Sequence, residues 1–154
     1  RRDPLHYTVE AEMQQSLAVL AALFAGASAI YCEYGWTEFR DRCYKLQPEY
    51  RSWQEQNLHC VYEGGNLASI TNPEENEFVR ELAGHRDAFV GGTSRQRSPW
   101  IWTDGRPWGW TNFEDPLDAG TRKGRPCVKL QANGLWHAQC CFTEHVPAVC
   151  ARTW

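Results

Sequence analysis

The seven cysteines of this 154-residue chain all fall between Cys32 and Cys150. That density in a small domain points to disulfide bridges that supplement a limited core, and such bridges persist in oxidising compartments. Seven is odd, so at least one thiol stays free, pairs with another chain or serves something else.

Residues 13–29, MQQSLAVLAALFAGASA, agree with that compartment. Leu17 to Phe24 is an apolar run, and Ala27-Ser28-Ala29 has the small-x-small form of a cleavage site. The segment is therefore expected to be a secretory signal peptide cut after Ala29. A buried N-terminal helix is the competing reading, because no Lys or Arg lies between Met13 and the apolar run. A membrane-spanning helix needs roughly 20 apolar residues, more than this segment offers. Residues 1–12 precede Met13 and read as an upstream segment or tag, which leaves 30–154 as a secreted, extracellular domain. A formal net charge of −3 and the lack of a long basic run argue against a nucleic-acid partner.

The scaffold can be followed in order. Aromatic residues Trp36, Phe39 and Tyr44 flank polar turn residues, so residues 32–46 read as a hairpin, with Cys32 and Cys43 spaced to bridge its arms. Ser52 and Glu55 form a capping-box pattern ahead of a helix carrying Trp53, Gln56, Asn57 and Cys60, and Gly64-Gly65 supplies its stop. Asn66 to Ile70 reads as a short strand. Asn72-Pro73-Glu74-Glu75 opens a second helix with Phe78, Val79 and Leu82 on one face and Gly84 at its end. Phe89-Val90-Gly91-Gly92 and Trp100-Ile101-Trp102 read as strands separated by a polar loop. Two helices followed by short strands and long loops predict an α+β domain.

At this point the chain resembles the C-type lectin-like domain family over Cys32 to Cys150. The resemblance is carried by the Cys32…Cys43 hairpin, Glu63-Gly64-Gly65-Asn66-Leu67-Ala68-Ser69-Ile70, Phe89-Val90-Gly91, Trp100-Ile101-Trp102-Thr103-Asp104-Gly105, Cys127-Val128, Trp136, Cys141 and Cys150. In its simplicity the chain is similar to small secreted fish lectins and type II antifreeze proteins. The resemblance implies a disulfide-stapled α+β fold with two helices, small antiparallel sheets and a long loop region. It implies bridges Cys32–Cys43, Cys60–Cys150 and Cys127–Cys141, leaving Cys140 free or intermolecular; Cys127–Cys140 remains the open alternative.

The resemblance also implies where a sugar-binding calcium ion would sit: on Glu-Pro-Asn or Gln-Pro-Asp, on a later Glu, and on the Asn-Asp after a Trp. Such an ion takes six to eight oxygen ligands. Here Asp115-Pro116-Leu117 occupies the first motif, with Pro116 in the place of the family's cis proline. Arg125 replaces the later Glu, and His137-Ala138 follows Trp136. Calcium at the usual site is not expected, and no other cofactor is. Glu114, Asp115 and Asp118 are weak candidates for an auxiliary ion and read first as a solvated acidic loop. Arg122, Lys123 and Arg125 could accept an anionic ligand. His137, Cys140, Cys141 and His145 have zinc-ligand residue types, but the bridge reading commits Cys141.

Trp108, flanked by Pro107 and Gly109, is expected to be exposed at a turn, whereas Trp100, Trp102 and Trp136 are expected in the core. The candidate ligand-binding set is thus Trp108, Trp110, Asp115, Asp118, Arg122, Lys123, Arg125 and His137. No nucleophile elbow or phosphate-cradling loop supports catalysis. The expected activity is binding of an extracellular glycan or protein without the usual calcium site. The alternatives are a protein-binding, toxin-like module, dimeric through Cys140, and a type II antifreeze-like ice binder.

Overall fold

The computed structural model describes residues 32–95, 98–120 and 124–153. The upstream segment 1–12, the expected signal peptide 13–29, and Arg122 and Lys123 lie outside the described residues.

The chain enters through a hairpin of β1 (Thr37–Phe39) and β2 (Arg42–Arg51), turned at Arg40, whose φ is 56°. Helix α1 (Trp53–Tyr62) starts as its capping box dictates. The Ser52 hydroxyl accepts the Glu55 N–H, and the Glu55 carboxylate accepts the Ser52 N–H over 2.9 Å. It buries Trp53, Gln56 and Cys60. Strand β3 is only Asn66–Leu67, shorter than expected. The reason is that Ala68 bridges two neighbours: its N–H donates to Val149 and its carbonyl accepts the Gly91 N–H, both over 2.8 Å. This close approach demands glycine at 91, since a Cβ there would lie 2.5 Å from the Leu67 carbonyl oxygen.

Helix α2 (Pro73–Leu82) is capped by Asn72 and carries Pro73 in its first turn. Strands β4 (Ala88–Thr93), β5 (Ile101–Trp102), β6 (Cys127–Leu130), β7 (Trp136–Gln139) and β8 (Val146–Arg152) follow. The sheet runs in the order β1-β2-β8-β4-β6-β7, with β3 on β8 and β5 on β4. Only the β4–β8 pair is parallel; the others are antiparallel. Strand β8 lies centrally and bonds to β2, β3 and β4, which explains its run of buried residues. Among the described residues no helix is long and apolar enough to cross a membrane.

Three disulfides staple this arrangement: Cys32–Cys43, Cys60–Cys150 and Cys127–Cys141. The second joins α1 to the central strand across 90 residues. On loop-closure entropy it is the most stabilising, at about 4–5 kcal/mol against about 3 for the hairpin bridge. Cys140 is a free thiol. One core cluster gathers Tyr44, Ile70, Val79, Val90, Trp100, Trp102, Leu130, Trp136 and Val149; a second surrounds the Cys60–Cys150 and Cys127–Cys141 bridges with Trp53, Leu67, Phe89 and Ala148.

Candidate functional site

The loop region between β5 and β6 is pinned at three points. At its start, the buried Arg42 guanidinium donates to Asp104 over 2.7 Å and to the Ser69 hydroxyl over 2.9 Å. Arg106 pairs with Glu75 of α2 over 3.0 Å. These bonds fix the Trp102-Thr103-Asp104-Gly105 turn to both the hairpin and the second helix. In its middle, Trp136 of β7 donates its N–H to the Asn112 carbonyl over 2.8 Å, and its carbonyl accepts the Glu114 N–H over 3.0 Å. The segment 112–114 is thereby laid along β7, bringing the loop beside His137.

The third point is Asp118, in a single 3-10 turn, Asp118–Gly120. Its carbonyl accepts the Trp100 indole N–H over 2.9 Å. Its carboxylate accepts the Ala138 N–H over 3.3 Å and lies 4.0 Å from His137 Nδ1. The expectation of a solvated acidic loop fails here, because Asp118 is fully buried. Its carboxylate faces backbone and imidazole rather than water. Glu114 is exposed and accepts from Gln131 over 2.9 Å, while the half-buried Asp115 accepts the Leu117 N–H over 2.9 Å. Among the described residues, the three acidic side chains accept from three different donors. Among the described residues no group of three His, Cys, Asp or Glu side chains is placed to hold a metal ion. The zinc-type set likewise loses Cys141 to its disulfide.

Two further expectations need correcting. Pro116 is trans, since the described residues contain no cis peptide bond. Trp108 is not an exposed platform. It is half-buried against Trp102 at 4.5 Å, Trp100 at 5.7 Å and Trp136 at 5.9 Å between ring centroids. The aromatic residues preceding the loop pack on each other and leave only part of each ring at the surface, because burying a large ring outweighs the turn preference of its neighbours. Trp110, half-buried, stands edge-on to Trp136 at 5.4 Å.

Among the described residues, the outer surface of the loop includes Leu117, 69% exposed, with Glu114 and Arg125 exposed and Asp115, Trp110 and His137 partly so. Residues that the sequence reading passed over hold it in place. Asn76 of α2 accepts the Trp136 indole N–H over 2.8 Å and donates to the Gly134 carbonyl, as does Asn112. The signal for Asn76 was a polar residue one helical turn before Val79 on the buried face of α2; Asn112, in the loop, carried none. Near the far end of β7, the Phe142 N–H and the Thr143 hydroxyl hold the Cys140 thiol below its ordinary pKa.

A disulfide-stapled α+β domain with its loop region hung between a tryptophan-rich core and β7 defines a class of binding domain rather than one protein. The Lectin C-type domain family model matches residues 49–152, and the chain belongs to that family. Asialoglycoprotein receptor 1 of Rattus norvegicus is 28% identical over 123 residues, covering 75% of this chain and 43% of the receptor. The chain thus spans less than half of that relative. Lactose-binding lectin l-2 of Anguilla japonica is 33% identical over 115 residues, covering 69% of this chain and 68% of the lectin. Among solved structures, a calcium-independent type II antifreeze protein superposes with a TM-score of 0.74 at 25% identity, covering 83% of this chain and 98% of that one.

Proposed function

We propose that this is a secreted, non-enzymatic binding domain. In this reading it recognises an extracellular carbohydrate through the loop surface of Trp110, Asp115, Leu117, Arg125 and His137, without calcium at the position usual in the family. The observation that carries it is the inward turn of Asp118. Its carboxylate accepts the Ala138 N–H and lies beside His137, where the family resemblance would place calcium ligands. Leu117 and Arg125 then bring a methyl-rich side chain and a positive charge to positions where a hard cation needs oxygens. Secretion is supported by the three disulfides, and carbohydrate recognition by the likeness to a lactose-binding lectin.

A glycan array in calcium and again in EDTA tests the reading. The expected result is binding of at least one glycan class, equal in the two buffers. Binding that EDTA abolishes removes calcium independence, and no binding in either buffer removes the lectin. A melting temperature raised several degrees by calcium also counts against it, because a ligand bound only by the native state must stabilise that state.

A second reading, ice binding, rests on the likeness to an antifreeze protein. Thermal hysteresis with faceted crystals would establish it. A third, a protein-binding dimer linked through Cys140, rests on the half-exposed free thiol; a single monomer band on non-reducing electrophoresis eliminates it.

A further inference from the structure

Six asparagines stand in the chain, and only Asn133 is followed by glycine; the others precede Leu58, Leu67, Pro73, Glu77 and Phe113. Asn133 is exposed at the tip of the β6–β7 hairpin, and Gly134 after it is buried with φ 88°. The Gly134 N–H donates to the Gln131 carbonyl over 2.9 Å, which closes the turn. The Asn133 side-chain carbonyl accepts the Leu135 N–H over 2.9 Å. This second bond closes a ring around the Asn133–Gly134 peptide and keeps the amide carbon on the side of the Gly134 nitrogen. It also withdraws electron density from that carbon, as a donor placed at a developing oxyanion does.

The arrangement suits one reaction. When the Gly134 nitrogen loses its proton to hydroxide, it can add to the Asn133 amide carbon. The new C–N bond closes a five-membered imide, and the side-chain nitrogen leaves as ammonia. Water then opens the ring. Attack at the side-chain carbonyl gives aspartate; attack at the main-chain carbonyl gives isoaspartate, whose backbone runs through the side chain and is longer by one carbon. No oxidant or reductant takes part. Glycine leaves its nitrogen unshielded, whereas Leu58, Leu67, Glu77 and Phe113 crowd theirs and Pro73 has no N–H. The bond from Gly134 to Gln131 must open first, so the turn sets the pace.

The consequence reaches the loop. The Gly134 carbonyl accepts the Asn76 amide over 2.9 Å and the Asn112 amide over 2.8 Å. A Cβ at Gly134 would lie 3.2 Å from Arg80 Cδ, so the backbone there is closely packed. An extra carbon just before it displaces the carbonyl from both donors. Asn112 accepts the Trp136 N–H, and Glu114 donates to the Trp136 carbonyl. We propose that Asn133-Gly134 is a site of spontaneous modification, and that isoaspartate formation there loosens the attachment of residues 112–114 to β7. This release depends on the hairpin alone, whichever ligand the loop surface takes.

The full domain with its disulfides intact is aged at mildly alkaline and at mildly acidic pH. Peptide mapping by mass spectrometry locates converted amides, and isoaspartyl methyltransferase counts isoaspartate. Conversion is expected at Asn133 ahead of every other asparagine, and faster at alkaline pH. In the isoaspartate form, separated by ion exchange, the backbone N–H groups of Trp136 and Glu114 should exchange with deuterium about tenfold faster, as the loss of one hydrogen bond's contribution implies. Exchange within α1 should stay unchanged. Asn133→Gln closes no five-membered ring and should age without either change. Fresh Asn133→Asp adds the charge without the extra carbon and should keep exchange at Trp136 slow. An Asn133 that stays intact in the folded domain but converts after reduction and unfolding would show that the turn protects it, which overturns the site. Conversion at Asn133 with unchanged exchange at Trp136 and Glu114 overturns the release, as does equally fast exchange in fresh Asn133→Asp.

Discussion

The indole N–H of Trp100 donates to the carbonyl of Asp118 over 2.9 Å, tying a core tryptophan to the one loop carboxylate that is fully buried. The same residue receives Ala138 N–H through its side chain, so Asp118 fastens the loop to β7 from two directions.

Replacing Asp118 with alanine should therefore lower stability by about 1–3 kcal/mol, the cost of stranding a buried N–H and its neighbours. Urea unfolding of Asp118→Ala beside Glu114→Ala would measure it. Glu114 is exposed and should change stability by under about 0.5 kcal/mol. Equal effects would mean that Asp118 anchors nothing.

The Arg42–Asp104 pair has side chains 4% and 8% exposed. Removing one partner strands the other charge, so Asp104→Ala should cost about 3–5 kcal/mol. Replacing both at once, as Arg42→Met with Asp104→Leu, should recover a large part of that loss. A double variant as unstable as the sum of the singles would show that the two do not act as a pair.

Glu55 is exposed, yet the Ser52 hydroxyl and backbone N–H hold its carboxyl below the ordinary glutamate range. A carboxyl with a depressed folded pKa contributes stability above its unfolded pKa, and that contribution disappears as pH falls through the folded value. Acid unfolding of Glu55→Gln should thus show a shallower loss below pH 4.5 than the parent, read by circular dichroism. Superimposable acid limbs would remove the capping carboxylate from the pH response.

Cys140 should be alkylated by iodoacetamide at lower pH than a free cysteine, because the thiolate is the nucleophile and the Phe142 N–H favours it. Thr143→Ala should move the profile back towards higher pH. Cys140→Ser should keep all three bridges and leave the melting temperature unchanged. A lost bridge in that variant would show that Cys140 takes part in the pairing.

Much of the scaffold was legible because its signals are local. The Ser52 and Asn72 caps, the stop at Gly64 and the hairpin around Arg40 each depend on a few neighbouring residues, and the structure shows each of them. The site was less legible because its determinants are distant in sequence. Nothing near Asp118 says that Trp100 and Ala138 will claim it, and nothing near Trp108 says that three other tryptophans will close over it. Strand β3 ended early for the same reason, since Ala68 serves Val149 and Gly91 at once.

The Cys60–Cys150 bridge has one more consequence, which is topological. It closes the chain into a covalent ring that contains both helix α2 and the entire loop region. A single backbone cut anywhere between those two cysteines opens the ring without dividing the molecule. A protease that nicks the loop surface would therefore release no fragment. The two pieces would still travel as one, and only a reducing agent would separate them.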